Sequence, residues 1–99
     1  MQIVIIGEYE VSYDAAGEPA LIIHHVVRGY DAAGFDAATA AELGALLAVR
    51  QKRIRELGSY RAVFGAGGDV TLYTATNQRA VYLTGEQAAR LAALLTATS

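Results

Sequence analysis

Cysteine and tryptophan are missing altogether, and there is one proline and one methionine. Without cysteine there is no disulfide, no thiolate zinc site, no CxxC redox pair and no thiol nucleophile. A cytoplasmic setting fits that absence. Serine is scarce: Ser12, Ser59 and Ser99 are the whole set, and none sits in a GxSxG elbow. Met1-Gln2 supplies no basic leader region, and the apolar run 3–6 is too short for a secretory signal. No uncharged apolar stretch approaches the ~18 residues that span a bilayer. No membrane, metal or cofactor is therefore expected as a partner.

What is present points to one folded domain over residues 1–99. Hydrophobic residues make up 54% of the chain and charged residues 18%, far from a disordered composition. A chain of this length can bury about 60–70% of its unfolded surface without staples. The net charge of -2 conceals an asymmetry. Residues 1–49 hold seven acids and one base, whereas residues 50–99 hold seven bases and three acids. Such a split equips a molecule for an acidic and a basic partner on different faces, or lets its two halves attract each other.

Alternation over residues 3–13 predicts a strand, with Gly7 as a bulge. Residues 14–19 (Asp-Ala-Ala-Gly-Glu-Pro) predict a turn, and the apolar segment 20–27 a second strand pairing back on the first. Tyr-Asp-Ala-Ala-Gly occurs twice, at 13–17 and 30–34, and the same turn chemistry is expected at both. Thr39 and Glu42 have the spacing of a capping box, predicting a helix from there to Leu57 with Gly58 beyond its end. Strands are expected at 60–64, 70–74 and 79–83. A second capping box, Thr84 with Gln87, opens a final helix through Leu91, Leu94 and Leu95. The fold class is α+β: an antiparallel sheet of about five strands with two helices, in the order ββαβββα. Each half ends in a hairpin followed by a capped Ala/Leu helix, the mark of a degenerate duplication.

The chemistry-bearing residues are few. His24 and His25 are adjacent on a strand, so they face opposite sides and cannot share a metal ion. A Glu8–His25 cross-strand pair, with Tyr9 opposite His24, follows if Tyr13 pairs with Ala20. Glu8, Glu10 and Asp14 are expected to form an exposed acidic edge, which deters strand-to-strand aggregation. The glycine run 65–69 is a turn, because no helix follows to face a phosphate. The basic cluster Arg50, Lys52, Arg53 and Arg55 spreads round the expected helix, at about 100° per residue. Nucleic acid is accordingly disfavoured as a partner. Arg50 falls within the apolar face of that helix, and Arg53 lies beside its edge. Arg50 is expected to snorkel or to pair with an acid.

Six tyrosines against two phenylalanines give the clearest interface signal. On the last hairpin Thr71, Tyr73, Ala80 and Tyr82 share one face, and Val70, Leu72, Val81 and Leu83 share the other. The second set is core; the first is an amphipathic face of the kind found at contacts. The apolar content also exceeds what two helices cover, so a homodimer is expected. The leading functional expectation is a small non-enzymatic regulator, adaptor or phage/mobile-element-type inhibitor working through protein–protein contacts. Its candidate binding residues are Glu8, His25, Arg50, Arg53, Thr71, Tyr73 and Tyr82. The alternatives are a small-molecule module using a Tyr/His-lined sheet face, and nucleic-acid binding through residues 50–61.

Overall fold

The computed structural model describes residues 1–96. Ser99 lies outside the described residues. Four strands, β1 (Gln2–Ile6), β2 (Tyr9–Tyr13), β3 (Leu21–His25) and β4 (Tyr30–Phe35), lead into helix α1 (Ala37–Val49). Four more, β5 (Arg53–Leu57), β6 (Tyr60–Phe64), β7 (Val70–Tyr73) and β8 (Arg79–Leu83), lead into α2 (Gly85–Thr96). Each set forms its own antiparallel sheet, in the order β1-β2-β3-β4 and β5-β6-β7-β8. The α+β class holds, but the architecture is ββββα twice over: eight strands in two sheets, not about five in one.

The duplication runs deeper than the sequence pattern. Gly7 and Gly58 turn the first hairpin of each half with φ of 60° and 61°, a left-handed conformation that glycine adopts without penalty. The third and fourth strands of each sheet shift register at the same point, between Ile23/His24 and between Leu72/Tyr73. The helices bury matching positions: Ala40, Leu43, Gly44 and Leu47 in α1, and Ala88, Leu91, Ala92 and Leu95 in α2.

The two missed strands have physical explanations. Arg50 closes α1 in the left-handed region, φ 58° and ψ 41°. The following five residues alternate as β5, which pairs with β6 through the Gly58 turn. Leu43 and Leu57 fit one helical wheel on paper, yet the chain reverses between them. The second Tyr-Asp-Ala-Ala-Gly is strand β4. In its first copy Asp14 accepts from the Ala16 amide at 3.1 Å and makes a turn. In the second, Asp31 bonds His24 across the ladder instead. An identical pentapeptide takes the conformation its neighbours offer. Gly7 is a turn residue and not a bulge.

Helix capping follows the same logic. Asp36, not Thr39, is the N-cap of α1, accepting from the Thr39 amide at 2.8 Å. That bond holds the Asp36 carboxyl below the ordinary aspartate value. Glu42 is thereby free to meet Arg55 of β5 at 2.6 Å. The second capping box forms as expected: Thr84 and Gln87 exchange bonds of 3.1 and 3.3 Å.

Both sheets turn their inner faces and both helices turn one side to a single core, which includes Ile6, Leu21, Ile23, Leu57, Leu72 and Leu91. The helices pack directly on each other. A Cβ at Gly44 would stand 2.8 Å from that of Leu95, so glycine sets their separation. The sheets meet through β4 and β8. The Tyr9 hydroxyl accepts from the Tyr82 amide at 3.2 Å, and Phe35 packs on Tyr60 with ring centres 5.1 Å apart. Because both helices serve the inner faces, the outer faces of the sheets are uncovered. Ile3, Ile5 and Ile54 are accordingly 57%, 54% and 65% exposed.

Candidate binding site

The β1–β2 and β3–β4 hairpin ends and strand β8 enclose a cleft of about 210 Å³. It is lined by Glu8, Tyr9, His25, Arg28, Tyr30, Arg79, Ala80 and Tyr82. Three expected binding residues, Glu8, His25 and Tyr82, come together here. His25 is the one buried polar side chain among the described residues, at 8% exposure. Its ring meets Tyr9 edge-on at 5.2 Å and stacks on Tyr30 at 5.9 Å. Nδ1 accepts the Arg28 amide hydrogen at 3.2 Å. The neutral ring therefore carries its proton on Nε2, which faces the Glu8 carboxylate at 3.4 Å.

The expected route to that pair is off by one register step. Tyr13 pairs with Leu21, so Tyr9 faces His25 and Glu10 faces His24. Glu8 reaches His25 from the turn, where its carbonyl accepts the Val26 amide at 3.0 Å. The two histidines do fall on opposite faces. His24 lies outward, with Nδ1 2.8 Å from Asp31. The expected acidic edge is dispersed: Glu8 and Asp14 sit in turns, and Glu10 is on β2, an inner strand of its sheet.

A second surface is the outer face of the β5–β8 sheet. Cross-strand pairing sets Ile54, Val63, Thr71 and Tyr82 in one row, and Glu56, Arg61, Tyr73 and Arg79 in the next. A shallow depression of about 220 Å³ lies on it, lined by Ile54, Arg61, Val63, Tyr73 and Asn77. The expected division of the last hairpin holds: Val70, Leu72, Val81 and Leu83 are buried, and Thr71, Tyr73, Ala80 and Tyr82 are not.

Arg50 and Arg53 belong to neither surface. Arg50 lies against Gly68 and donates to the Gly85 carbonyl at 3.4 Å, tying the end of α1 to the start of α2. It is exposed and heads no apolar helix face. Arg53 donates to Gln51 at 2.9 Å, Arg55 turns to Glu42, and Arg61 lines the depression. The basic segment is thus a turn and two strands whose charges go to separate places. The glycine run is a turn, closed by Gly65 donating to Asp69 at 2.9 Å and Gly68 to Gly65 at 3.1 Å.

Sequence reading missed Arg28 and Arg79, and reached Arg61 only as the end of the 50–61 segment. Arg61 was legible, since it alternates outward beside Tyr60 and Ala62; the other two needed the sheet-to-sheet contact. Among the described residues no helix is long and apolar enough to cross a membrane. No known protein family, characterised protein or solved structure matches the chain.

Proposed function

We propose that this chain is a non-enzymatic binding module that acts through protein–protein contacts, as a small adaptor or inhibitor does. Its working surface is the outer face of the β5–β8 sheet. The observation that carries this reading is the pairing of tyrosine and apolar side chains there. Thr71, Tyr73 and Tyr82 stand beside Ile54 and Val63 on a face that neither helix covers. Tyrosine and aliphatic groups ringed by arginine have the composition of contact surfaces. A photo-crosslinking side chain at position 73 tests the reading in the native host. A discrete protein adduct is expected, a second copy of the chain included. It should be lost when Tyr82 and Ile54 are replaced by Ala and Asp while the fold persists. Labelling without any discrete protein adduct contradicts the reading.

A second reading rests on the cleft. The buried His25, flanked by Tyr9 and Tyr30, offers aromatic faces to a small planar ligand, with Arg28, Arg79 and the Glu8 carboxylate lining the same cleft. Titrating the protein with small aromatic carboxylates and following the His25 ring resonances tests it. Saturable shifts confined to the cleft favour a small-molecule module, and unmoved resonances remove that reading.

A further inference from the structure

The two halves carry opposite charges at matching places. In the first sheet one outward row reads Ile5, Glu10, His24, Asp31. The corresponding row of the second sheet reads Glu56, Arg61, Tyr73, Arg79. At the second and fourth positions a carboxylate in one half is a guanidinium in the other. Little of this complementarity is used inside the molecule. Of the three ion pairs among the described residues, His24–Asp31 and His25–Glu8 lie within the first half, and Arg55–Glu42 alone joins the halves. Glu10 and Arg61 take part in none of them.

Shape agrees with charge. Ile3 and Ile5 project from β1, more than half exposed, with Glu10 the cross-strand neighbour of Ile5. The depression on the second sheet is apolar at Ile54 and Val63 and has Arg61 at its side. An isoleucine flanked by a carboxylate is the chemistry that fits an apolar hollow flanked by a guanidinium. Like-with-like contact is the poorer match by the same account. The row of a first sheet brings two carboxylates and no arginine to its copy, and the row of a second sheet brings two arginines against the single carboxylate of Glu56. Juxtaposed like charges act against such pairings.

We propose that the occupant of the second sheet's outer face is a second copy of this chain, docking through Ile3, Ile5 and Glu10 of its first sheet. The inference rests on the reading of that face as a protein-binding surface and names the partner. Such a contact joins two different patches, so an open assembly of any length keeps one free donor face and one free acceptor face. The homodimer is the first member of a head-to-tail series.

Charge reversal tests it in the intact chain, read by sedimentation velocity over a range of concentrations. Glu10→Arg and Arg61→Glu each lie on an outward strand position, and circular dichroism confirms the fold of each variant. Wild type is expected to associate with rising concentration, and less so in high salt. Each single reversal should weaken association at least about tenfold, because the contact then sets like charges together. Mixing the two variants restores complementary faces between different chains, and the double reversal restores them within one chain. Association should return in both. Wild type that stays monomeric, single reversals without effect, or no recovery on mixing each overturns the proposal. If position 73 crosslinks to another protein while wild type stays monomeric, the self-association fails and the binding-module reading stands. No adduct at position 73 removes both.

Discussion

At one position of its sheet each half makes the opposite choice: Glu10 in the first, Arg61 in the second. The same inversion recurs at Asp31 and Arg79. Inward, the halves agree. Ile6 and Leu57 are buried at matching strand ends, and Leu43 and Leu91 at matching helix positions. The inner faces share one core, so each must fit the other, and apolar volume is kept at both. The outer faces have no such duty. There the halves differ in charge, in aromatic content and in what lines the cleft at their hairpin ends: Glu8, His25 and Tyr30 in the first, Ser59, Thr74 and Asn77 in the second. Tyr9 of one half bonds Tyr82 of the other, whereas the matching Tyr60 packs on Phe35. The two halves repeat one backbone, and different exposed positions give their outer faces different chemistry.

The comparison can be broken most severely through the shared core. Ile23 and Leu72 occupy matching inward positions at 0% and 1% exposure. Ile23→Ala and Leu72→Ala should each cost about 2–5 kcal/mol. Urea unfolding should remain a single transition in both variants. Two separated transitions would mean that the halves fold as independent units. Next comes the helix crossing, where the halves differ by one methyl group. Gly44→Ala should destabilise by about 1–3 kcal/mol, because its Cβ meets Leu95 at 2.8 Å. Its counterpart Ala92→Gly should cost about 1 kcal/mol through helix propensity. Equal losses at the two sites would contradict glycine's role in setting the helix separation.

The caps separate the halves by pH. Thr84→Ala should cost about 1 kcal/mol at any pH. The Asp36 cap behaves differently, since its carboxyl is held below the ordinary value by the Thr39 amide. Its contribution is full above the unfolded aspartate value, about 3.9, and is lost as pH falls through the lower folded value. Asp36→Asn, which keeps an acceptor but cannot titrate, should flatten that part of the acid-stability profile. Smallest is a difference in which ring nitrogen carries the proton in two neighbours. His25 Nδ1 accepts from Arg28, so its hydrogen is on Nε2. His24 Nδ1 faces the Asp31 carboxylate at 2.8 Å, so its hydrogen is on Nδ1. Long-range nitrogen–proton correlation spectra should show opposite tautomers, and matching patterns would displace this account of the cleft.

Local signals carried the sequence reading well where they decide structure locally. The 14–19 turn, the 65–69 turn, the second capping box and the inward set Val70, Leu72, Val81 and Leu83 all form as the residues imply. The failures lie where a distant partner decides. Arg53–Leu57 has helix-compatible spacing, and its strand identity comes from pairing with β6. Residues 30–34 repeat a turn sequence and become β4 because β3 offers an open edge. Glu42 has capping-box spacing, yet Asp36 caps and Arg55 takes the carboxylate. For the cleft, Glu8, His25 and Tyr82 were within reach of strand alternation and tyrosine counting. Arg28 and Arg79 were not, since the approach of β8 to the β3–β4 turn is a tertiary event. The charge split was visible from the start; that it lies on matching outward rows required the second sheet.

The central claim is that one outer face of this molecule binds the other outer face of its copy. Backbone amide chemical shifts, followed as the wild-type concentration is raised, test it most directly. The account predicts concentration-dependent shifts in two groups. One is Ile3, Ile5 and Glu10 on the first sheet, and the other is Ile54, Arg61, Val63 and Tyr73 on the second. Both should saturate together, with the helix surfaces unmoved. Shifts on one sheet alone, or shifts centred on the helices, would contradict it.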